Sequence, residues 1–258
     1  MTSPSRGLVR YNSLTEFMAS LPVKCPRRDR SDSWAGNQTY AEAKVNLWKG
    51  FPEATRRSEA ILEQLESGIE LRQESWDTDI IGYFPCVPAA IHDDPDCMFV
   101  PVDEHSNTTP MKVYASVCLS AGYESEQVES RGIAILALVR KLALIRPVEL
   151  WVYAEMDTWQ CCIRLETNPL DLTTASYVLA NPAFLRKLCF NWKRKAGDID
   201  WCDWFRGGVS AARDALGASG DDLVIPGSYF SSDDLSNPVE WVNTHVRKYA
   251  LVNSSCTD

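Results

Sequence analysis

A strand–helix–strand pattern in residues 111–155 constrains the fold of this 258-residue chain more than any other segment. Residues 113–119 place apolar and small side chains on both faces, as in a strand that is covered on each side. Residues 126–145 are apolar nearly all round, which predicts a helix that is buried on most sides. Residues 148–154 resume β character. Because crossovers within one sheet are almost always right-handed, we expect these two strands to run parallel.

The ends and the interior of this helix carry their own signals. Ser125 is a candidate N-cap, and Arg146-Pro147 ends the helix because the residue before a proline avoids the α region. Gly132 lies inside the helix at a cost of about 1 kcal/mol relative to alanine. We therefore expect another backbone to approach the helix at Gly132.

Two further patterns complete the predicted fold. Residues 159–165 follow a turn and are expected to pair antiparallel with the preceding strand. In the N-terminal part, Thr39 and Glu42 form a capping box, Gly50 ends that helix, and residues 53–65 form the next one. The fold class is therefore α/β: a three-layer domain with a mixed, partly parallel sheet and a central buried helix, plus an N-terminal helical hairpin.

The predicted organisation is a single α/β domain over residues 31–252, with a tail and a short helix in residues 1–30 and a second tail in residues 253–258. Within the domain, residues 31–110 hold the hairpin and extended segments, and residues 111–252 hold the core. Smaller elements are also predicted: a short helix capped by Ser13, extended segments and turns in 79–100, helices beginning after Asp171, Asn181 and Asn237, a loop or short helix in 207–222, and a last strand at 223–225.

Composition limits the classes of function. Hydrophobic residues make up 45% of the chain, enough for a packed core. A net charge of −9 does not suit a general nucleic-acid coat, since phosphate binding depends on clustered lysine and arginine. Nine cysteines without a repeated Cys-x-x-Cys pair favour reduced, buried thiols. No apolar run is long enough to span a bilayer, so we expect a soluble protein that is intracellular or belongs to an assembly made inside a cell.

No familiar catalytic or cofactor-binding pattern occurs in the sequence, so neither a cofactor nor a metal is predicted. The three histidines, His92, His105 and His245, do not lie beside an evident nucleophile. The acidic segment 92–97 is interpreted as a solvated turn, because its spacing matches no metal-binding loop. One candidate site for a small ligand or a reaction remains at Cys118–Gly122, around Ser120, since open α/β sheets bind ligands at the carboxyl ends of their strands.

Aromatic and basic clusters are the candidate interaction sites. The aromatic residues either anchor the helical hairpin to the sheet or form a partner-binding patch. The basic residues either cover ordinary solvated surface or contact nucleic acid or an acidic partner. The candidates are Trp34, Tyr40 and Trp48 among the aromatic residues, and Arg27, Arg28, Arg30, Arg186 and Lys187 among the basic ones.

The first strand, the serine-containing turn and the following helix resemble a von Willebrand factor A-type domain, a family in which Asp-x-Ser-x-Ser holds a divalent metal. Here Cys118 stands at the aspartate position, Ser120 matches the first serine, and Gly122 replaces the second. With two of three ligands replaced, the resemblance implies a similar fold without a metal adhesion site. The antiparallel strand predicted after residue 156 departs from that fold.

A second resemblance covers most of the chain. The order of five short patterns resembles a protein family of phages and related mobile elements that has no established activity. It implies a viral setting and transfers no site residue. The patterns are Ser33-Trp34-x-Gly36, Gly50-Phe51-Pro52-Glu53, Pro95-Asp96-Cys97-Met98, Arg131-Gly132-x-Ala134-Ile135 and Asn181-Pro182-Ala183-Phe184-Leu185-Arg186.

Together these observations predict a non-enzymatic viral protein that acts through protein–protein contacts with viral or host proteins, as a virion or assembly component, and that can form a homo-oligomer. The first alternative is a replication- or genome-associated protein that binds nucleic acid through its basic clusters. The second is a small-ligand binder or an enzyme with a site at Cys118–Gly122.

Overall fold

The computed structural model describes residues 7–25, 29–65, 76–81, 84–92, 94–101, 110–119, 123–144, 147–156, 159–166, 171–196, 208–227 and 237–251. The chain divides into two units. The main unit comprises Met1–Ser67 and Pro110–Asp258, and the small unit comprises Gly68–Thr109.

The main unit is built on a five-stranded mixed sheet of order β1-β7-β6-β5-β8. Its strands are β1 (Gly7–Tyr11), β5 (Met111–Ser116), β6 (Val148–Met156), β7 (Trp159–Leu165) and β8 (Leu223–Ile225). Strand β5 runs parallel to β6 and β8, β6 pairs antiparallel with β7, and β1 pairs parallel with β7. The parallel and antiparallel pairings predicted for residues 111–165 are therefore confirmed, whereas β1 was not predicted.

Nine helices are described: α1 (Leu14–Ser20), α2 (Tyr40–Lys49), α3 (Pro52–Leu65), α4 (Val87–Ile91), α5 (Ser125–Ala143), α6 (Leu172–Ala180), α7 (Phe190–Ala196), α8 (Gly208–Leu216) and α9 (Pro238–Leu251). A 3-10 turn spans Ser33–Ala35, and a π-helical segment, Phe184–Cys189, precedes α7. The two helices predicted for the N-terminal part, α2 and α3, are present, with the capping box at Thr39 and the stop at Gly50, and both pack against α6.

Helix α5 is the central buried helix that the sequence predicts. It contacts β6 of the sheet on one side and α3, α6 and α9 on the others. Twelve of its residues are buried, including Leu136 and Leu138, which have no exposed surface. A Cβ at Gly132 would overlap the carbonyl oxygen of Leu179, so the expected close approach is made by α6. The predicted cap is wrong by one residue: Glu124 is the N-cap, and the Ser125 hydroxyl instead donates to the Ser33 carbonyl at 2.6 Å.

A different helix covers the opposite face of the sheet. Tyr114, Trp151 and Val224 project from β5, β6 and β8 and pack against Ala212 and Leu216 of α8. The sheet therefore lies between α5 on one face and α8 on the other. This arrangement confirms the predicted three-layer α/β architecture.

The small unit contains a three-stranded antiparallel sheet of order β2-β4-β3, from β2 (Trp76–Asp79), β3 (Phe84–Pro85) and β4 (Met98–Pro101). The short helix α4 lies between β3 and β4. The prediction of extended segments and turns alone is therefore wrong at α4. Its proline lies within the first turn, where the missing N–H removes no helical hydrogen bond.

Candidate functional site

Trp34 and Arg186, predicted as members of two separate clusters, contact each other. The Arg186 guanidinium donates to the carbonyl oxygens of Trp34 and, at 2.8 Å, of Tyr123. Its central carbon lies 4.5 Å from the centroid of the Trp34 ring. Burial lowers the pKa of Arg186. This pair joins the Ser33–Ala35 turn to the π-helical segment within one chain.

The other two aromatic candidates have different environments. Tyr40 is buried: its hydroxyl donates to the Pro22 carbonyl at 2.6 Å, and its backbone N–H donates to the Asp29 carboxylate at 2.7 Å. Burial raises the pKa of Tyr40 to about 12. Trp48 is 47% exposed and lies one turn from Val45, which is also exposed. Tyr40 thus ties the start of α2 to the preceding segment at Pro22 and Asp29, whereas Trp48 and Val45 form a narrow apolar strip on α2.

The basic candidates that the structure describes contribute to internal contacts. The Lys187 ammonium donates to the Arg30 carbonyl at 2.6 Å and lies 3.7 Å from the Asp32 carboxylate. Both contacts hold residues 30–32 against the π-helical segment. Arg27 and Arg28 lie outside the described residues.

An arginine occupies the edge of the sheet where the sequence leaves a ligand site open. Arg131 on α5 is 2% exposed. It donates to the Ser116 carbonyl at 2.7 Å and to the Pro226 carbonyl at 3.3 Å, at the ends of the parallel strands β5 and β8. In open α/β sheets this position, between neighbouring strands whose connections lie on opposite faces, binds ligands. Burial lowers the pKa of Arg131 to about 10.

Cys118 is also held by internal contacts at this edge. Its thiol donates to the Glu155 carbonyl at 3.2 Å, and its sulfur accepts from the Glu155 backbone N–H at 3.1 Å. A Cβ at Gly227 would overlap the carbonyl oxygen of Cys118, so the backbones meet there. Ser120, the remaining candidate, lies outside the described residues. The described part of this edge is therefore packed with the protein's own side chains and backbone.

The histidines and acidic residues do not assemble a metal site in the described part of the chain. No group of three or more His, Cys, Asp and Glu residues there could hold a metal ion. His245 is buried against the Trp241 ring, with its Nδ1 2.8 Å from the Trp241 carbonyl oxygen. His92 is exposed at the end of α4, whereas His105 and Asp93 lie outside the described residues.

The small unit presents an apolar surface that sequence analysis did not identify. Strands β2 and β3 both run antiparallel to β4, and both end opposite Met98, so the residues that follow them lie at the same end of the sheet. Four large side chains here are exposed by 59–81%, and we call them the sheet-end surface. They are Ile80 and Ile81 after β2, and Val87 and Ile91 on α4.

Negative charge is concentrated in the same unit. Residues 68–109 contain nine aspartates and glutamates but one arginine, a net charge of −8, against −9 for the entire chain. Asp79, Asp94 and Asp96, which adjoin the sheet-end surface along the chain, are exposed. Exposed carboxylates and exposed apolar side chains therefore occur together in this unit.

The fold and these sites define a three-layer α/β protein with an acidic small unit, in which Arg131 bridges the carboxyl ends of β5 and β8. The chain belongs to the family described as Domain of unknown function (DUF7192), whose model matches residues 2–252. No curated protein and no solved structure shows significant similarity to the chain. Among the described helices, none has the length and apolar character that crossing a bilayer requires.

Proposed function

We propose that this protein is non-enzymatic and acts through protein–protein contacts made by the sheet-end surface. The exposure of Ile80, Ile81, Val87 and Ile91 at one end of a small sheet carries this proposal. Large apolar side chains exposed as a group are typical of interaction sites, whereas scattered ones are ordinary. The resemblance to a phage and mobile-element family supports a role as a virion or assembly component.

The partner that fits this surface is a basic, amphipathic segment of another protein. Burying an isoleucine contributes about 1.5–3 kcal/mol, so the apolar side chains supply affinity. The carboxylates of Asp79, Asp94 and Asp96 match lysines or arginines beside the partner's apolar stripe. Because the small unit carries a net charge of −8, association should become slower as salt screens this attraction.

Two observations support this proposal over the alternatives. At the described carboxyl ends of β5 and β8, Arg131 and the Cys118 backbone are engaged in contacts within the chain, which does not favour a small-ligand site there. Arg186 and Lys187 are bound to backbone carbonyls of the same chain, so they are poorly placed to contact phosphates. A nucleic-acid role would depend on basic residues elsewhere.

A peptide titration tests the contact surface. The probe is a fluorescent lysine-rich helix with a leucine stripe, compared with a peptide of equal charge in which serines replace the leucines. We expect the wild-type protein to bind the leucine peptide about tenfold more tightly or better, a difference of about 1.4 kcal/mol. In the I81S/I91S double variant this preference should disappear.

Leu144→Ser is the matched control, because Leu144 is 63% exposed but belongs to the main unit. This variant should retain the wild-type preference. Equal binding of both peptides by the wild-type protein would overturn the proposed surface. The assembly role is tested separately by quantifying the chain in purified particles of its source: enrichment supports the role, and absence from particles contradicts it.

A further inference from the structure

Cys86 and Cys97 face each other across the small sheet. Strand β3 pairs with β4 in the register Phe84–Phe99 and Pro85–Met98, and the next pair in this register is Cys86 with Cys97. The Cys86 backbone N–H donates to the Cys97 carbonyl at 2.6 Å, so the pairing continues to these residues. Directly opposite residues in an antiparallel pair project from the same face of the sheet.

The spacing of such a pair allows a strained disulfide. Opposite residues joined by a backbone hydrogen bond have Cα atoms about 5.5 Å apart, within the range of about 4.4–6.8 Å that disulfides span. Their Cβ atoms are farther apart than in a non-hydrogen-bonded pair, so the strands must draw slightly together for a bond between Cys86 and Cys97 to form. Strain of this kind makes a disulfide easier to reduce, as a reversible redox site requires.

These two thiols also differ from the other cysteines that the structure describes. Both are half-buried, whereas Cys118, Cys161, Cys162 and Cys189 are buried. Burial raises the pKa of Cys162 to about 12 and also raises that of Cys161, which disfavours their reactive thiolates. Cys25 is half-buried too, but its thiol donates to the Asn191 side-chain oxygen at 3.6 Å. It lies outside the described strands, so strand pairing does not place a second cysteine opposite it.

We propose that Cys86 and Cys97 form a redox-active dithiol site, which a peroxide oxidises to an intramolecular disulfide. One thiolate attacks a peroxide oxygen, the O–O bond breaks, and a sulfenic acid and one water form. The second thiolate then attacks the sulfenic sulfur, and the S–S bond forms as a second water leaves. Two thiols lose two electrons and two protons, and one hydrogen peroxide becomes two waters. Dithiothreitol reduces the disulfide back to two thiols and is itself oxidised to a cyclic disulfide.

The bond would close residues 86–97 into a loop that contains α4. This loop already has local order: the Ala90 N–H donates to the Cys86 carbonyl at 2.9 Å, and the Asp94 N–H donates to the Ala89 carbonyl at 3.1 Å. Val87 and Ile91 lie within the loop, so oxidation would fix half of the sheet-end surface to the sheet. The proposal goes beyond the contact function and does not depend on it.

Peptide mapping of the intact protein tests the site. Trypsin releases residues 73–112 as one peptide in which Cys86 and Cys97 are the only cysteines. After treatment of the folded protein with hydrogen peroxide and alkylation without reductant, we expect this peptide to be lighter than the reduced peptide by two hydrogens and to carry no alkyl group. Dithiothreitol before alkylation should restore two alkyl groups.

Variants locate the bond and distinguish it from other oxidation. Cys86→Ser and Cys97→Ser should each abolish the light peptide, whereas Cys25→Ser should retain it. The proposal is overturned if both cysteines of the peroxide-treated wild type remain alkylated, or if the peptide appears only in disulfide-linked dimers. Because the readout is mass, failure of the peptide titration with the leucine probe would not affect it.

Discussion

The guanidinium of Arg186 lies over the ring of Trp34, 4.5 Å from its centroid, although 152 residues separate them in the chain. The contact joins an N-terminal turn to a π-helical segment. Two side chains that the sequence suggests for binding other molecules are thereby engaged with each other. Their contribution is expected to appear first in stability.

Replacement of Arg186 should therefore destabilise the protein. Arg186→Ala removes charged hydrogen bonds to the carbonyls of Trp34 and Tyr123, and we expect a loss of about 2–3 kcal/mol in the free energy of unfolding by urea. Arg186→Lys should recover only part of this, since an ammonium cannot reproduce the planar fork. Arg56→Ala, which breaks an exposed pair with Glu53, should cost about 0.5 kcal/mol or less; equal losses at Arg56 and Arg186 would contradict the assignment.

Arg131 should be required to hold the carboxyl ends of β5 and β8 together. Arg131→Met leaves the buried carbonyls of Ser116 and Pro226 without this donor, and we expect destabilisation of about 2–4 kcal/mol in urea. Arg140→Met on the same helix is the comparison, because Arg140 is more exposed and contacts the side chains of Glu59 and Ser58 instead of the carbonyls at the strand ends. A loss of about 1 kcal/mol or less is expected there. If Arg131→Met leaves the free energy of unfolding unchanged, the arginine is not needed to hold the two strand ends together.

Gly132→Ala tests the close crossing of α5 and α6. The added Cβ would overlap the carbonyl of Leu179, so the helices must separate, and we expect a loss of about 3 kcal/mol in the free energy of unfolding. Gly220→Ala is the matched control, since no atom lies within 4 Å of its added Cβ. It should change stability by about 0.5 kcal/mol or less. Similar effects at both glycines would rule out a tight crossing.

Tyr40 makes stability sensitive to alkaline pH. Its folded pKa is raised from 10.0 to about 12, mainly by burial, so the unfolded chain loses this proton first. The stability that Tyr40 contributes is therefore complete below about pH 10 and is lost as pH rises toward about 12.

Tyr40→Phe removes both this titration and the hydrogen bond to Pro22. We expect the variant to be less stable by about 1 kcal/mol at neutral pH and to lose less stability than the wild type between about pH 10 and pH 12. Urea unfolding across this range provides the measurement. Parallel declines in the two proteins would exclude Tyr40 as a source of the pH dependence.

Local patterns were sufficient for most of the main unit. The strand and helix periodicities of residues 111–165 predict β5, α5, β6 and β7 and both of their pairings, because each partner follows the previous one closely. The capping box at Thr39 and the glycine at position 50 likewise predict where α2 begins and ends. These signals depend on neighbouring residues alone.

The missed features depend on distant residues. Strand β1 has five residues and pairs with β7 about 150 positions later, so its own sequence carries little signal. Arg131 looks like a polar interruption of an apolar helix, and its role follows only from two strand ends that meet beside it. The sheet-end surface requires the register of β2 and β3 against β4, which the proline-rich sequence does not reveal.

The enclosure of α5 has a consequence for synthesis of the protein on the ribosome. The helix is covered by α3, which precedes it in the chain, and by α9, which is synthesised about 100 residues after it. Its apolar surface therefore stays partly open to water until α9 has left the exit tunnel. During the second half of translation this surface is therefore unprotected, and we expect a chain truncated ahead of α9 to aggregate more readily than the full chain.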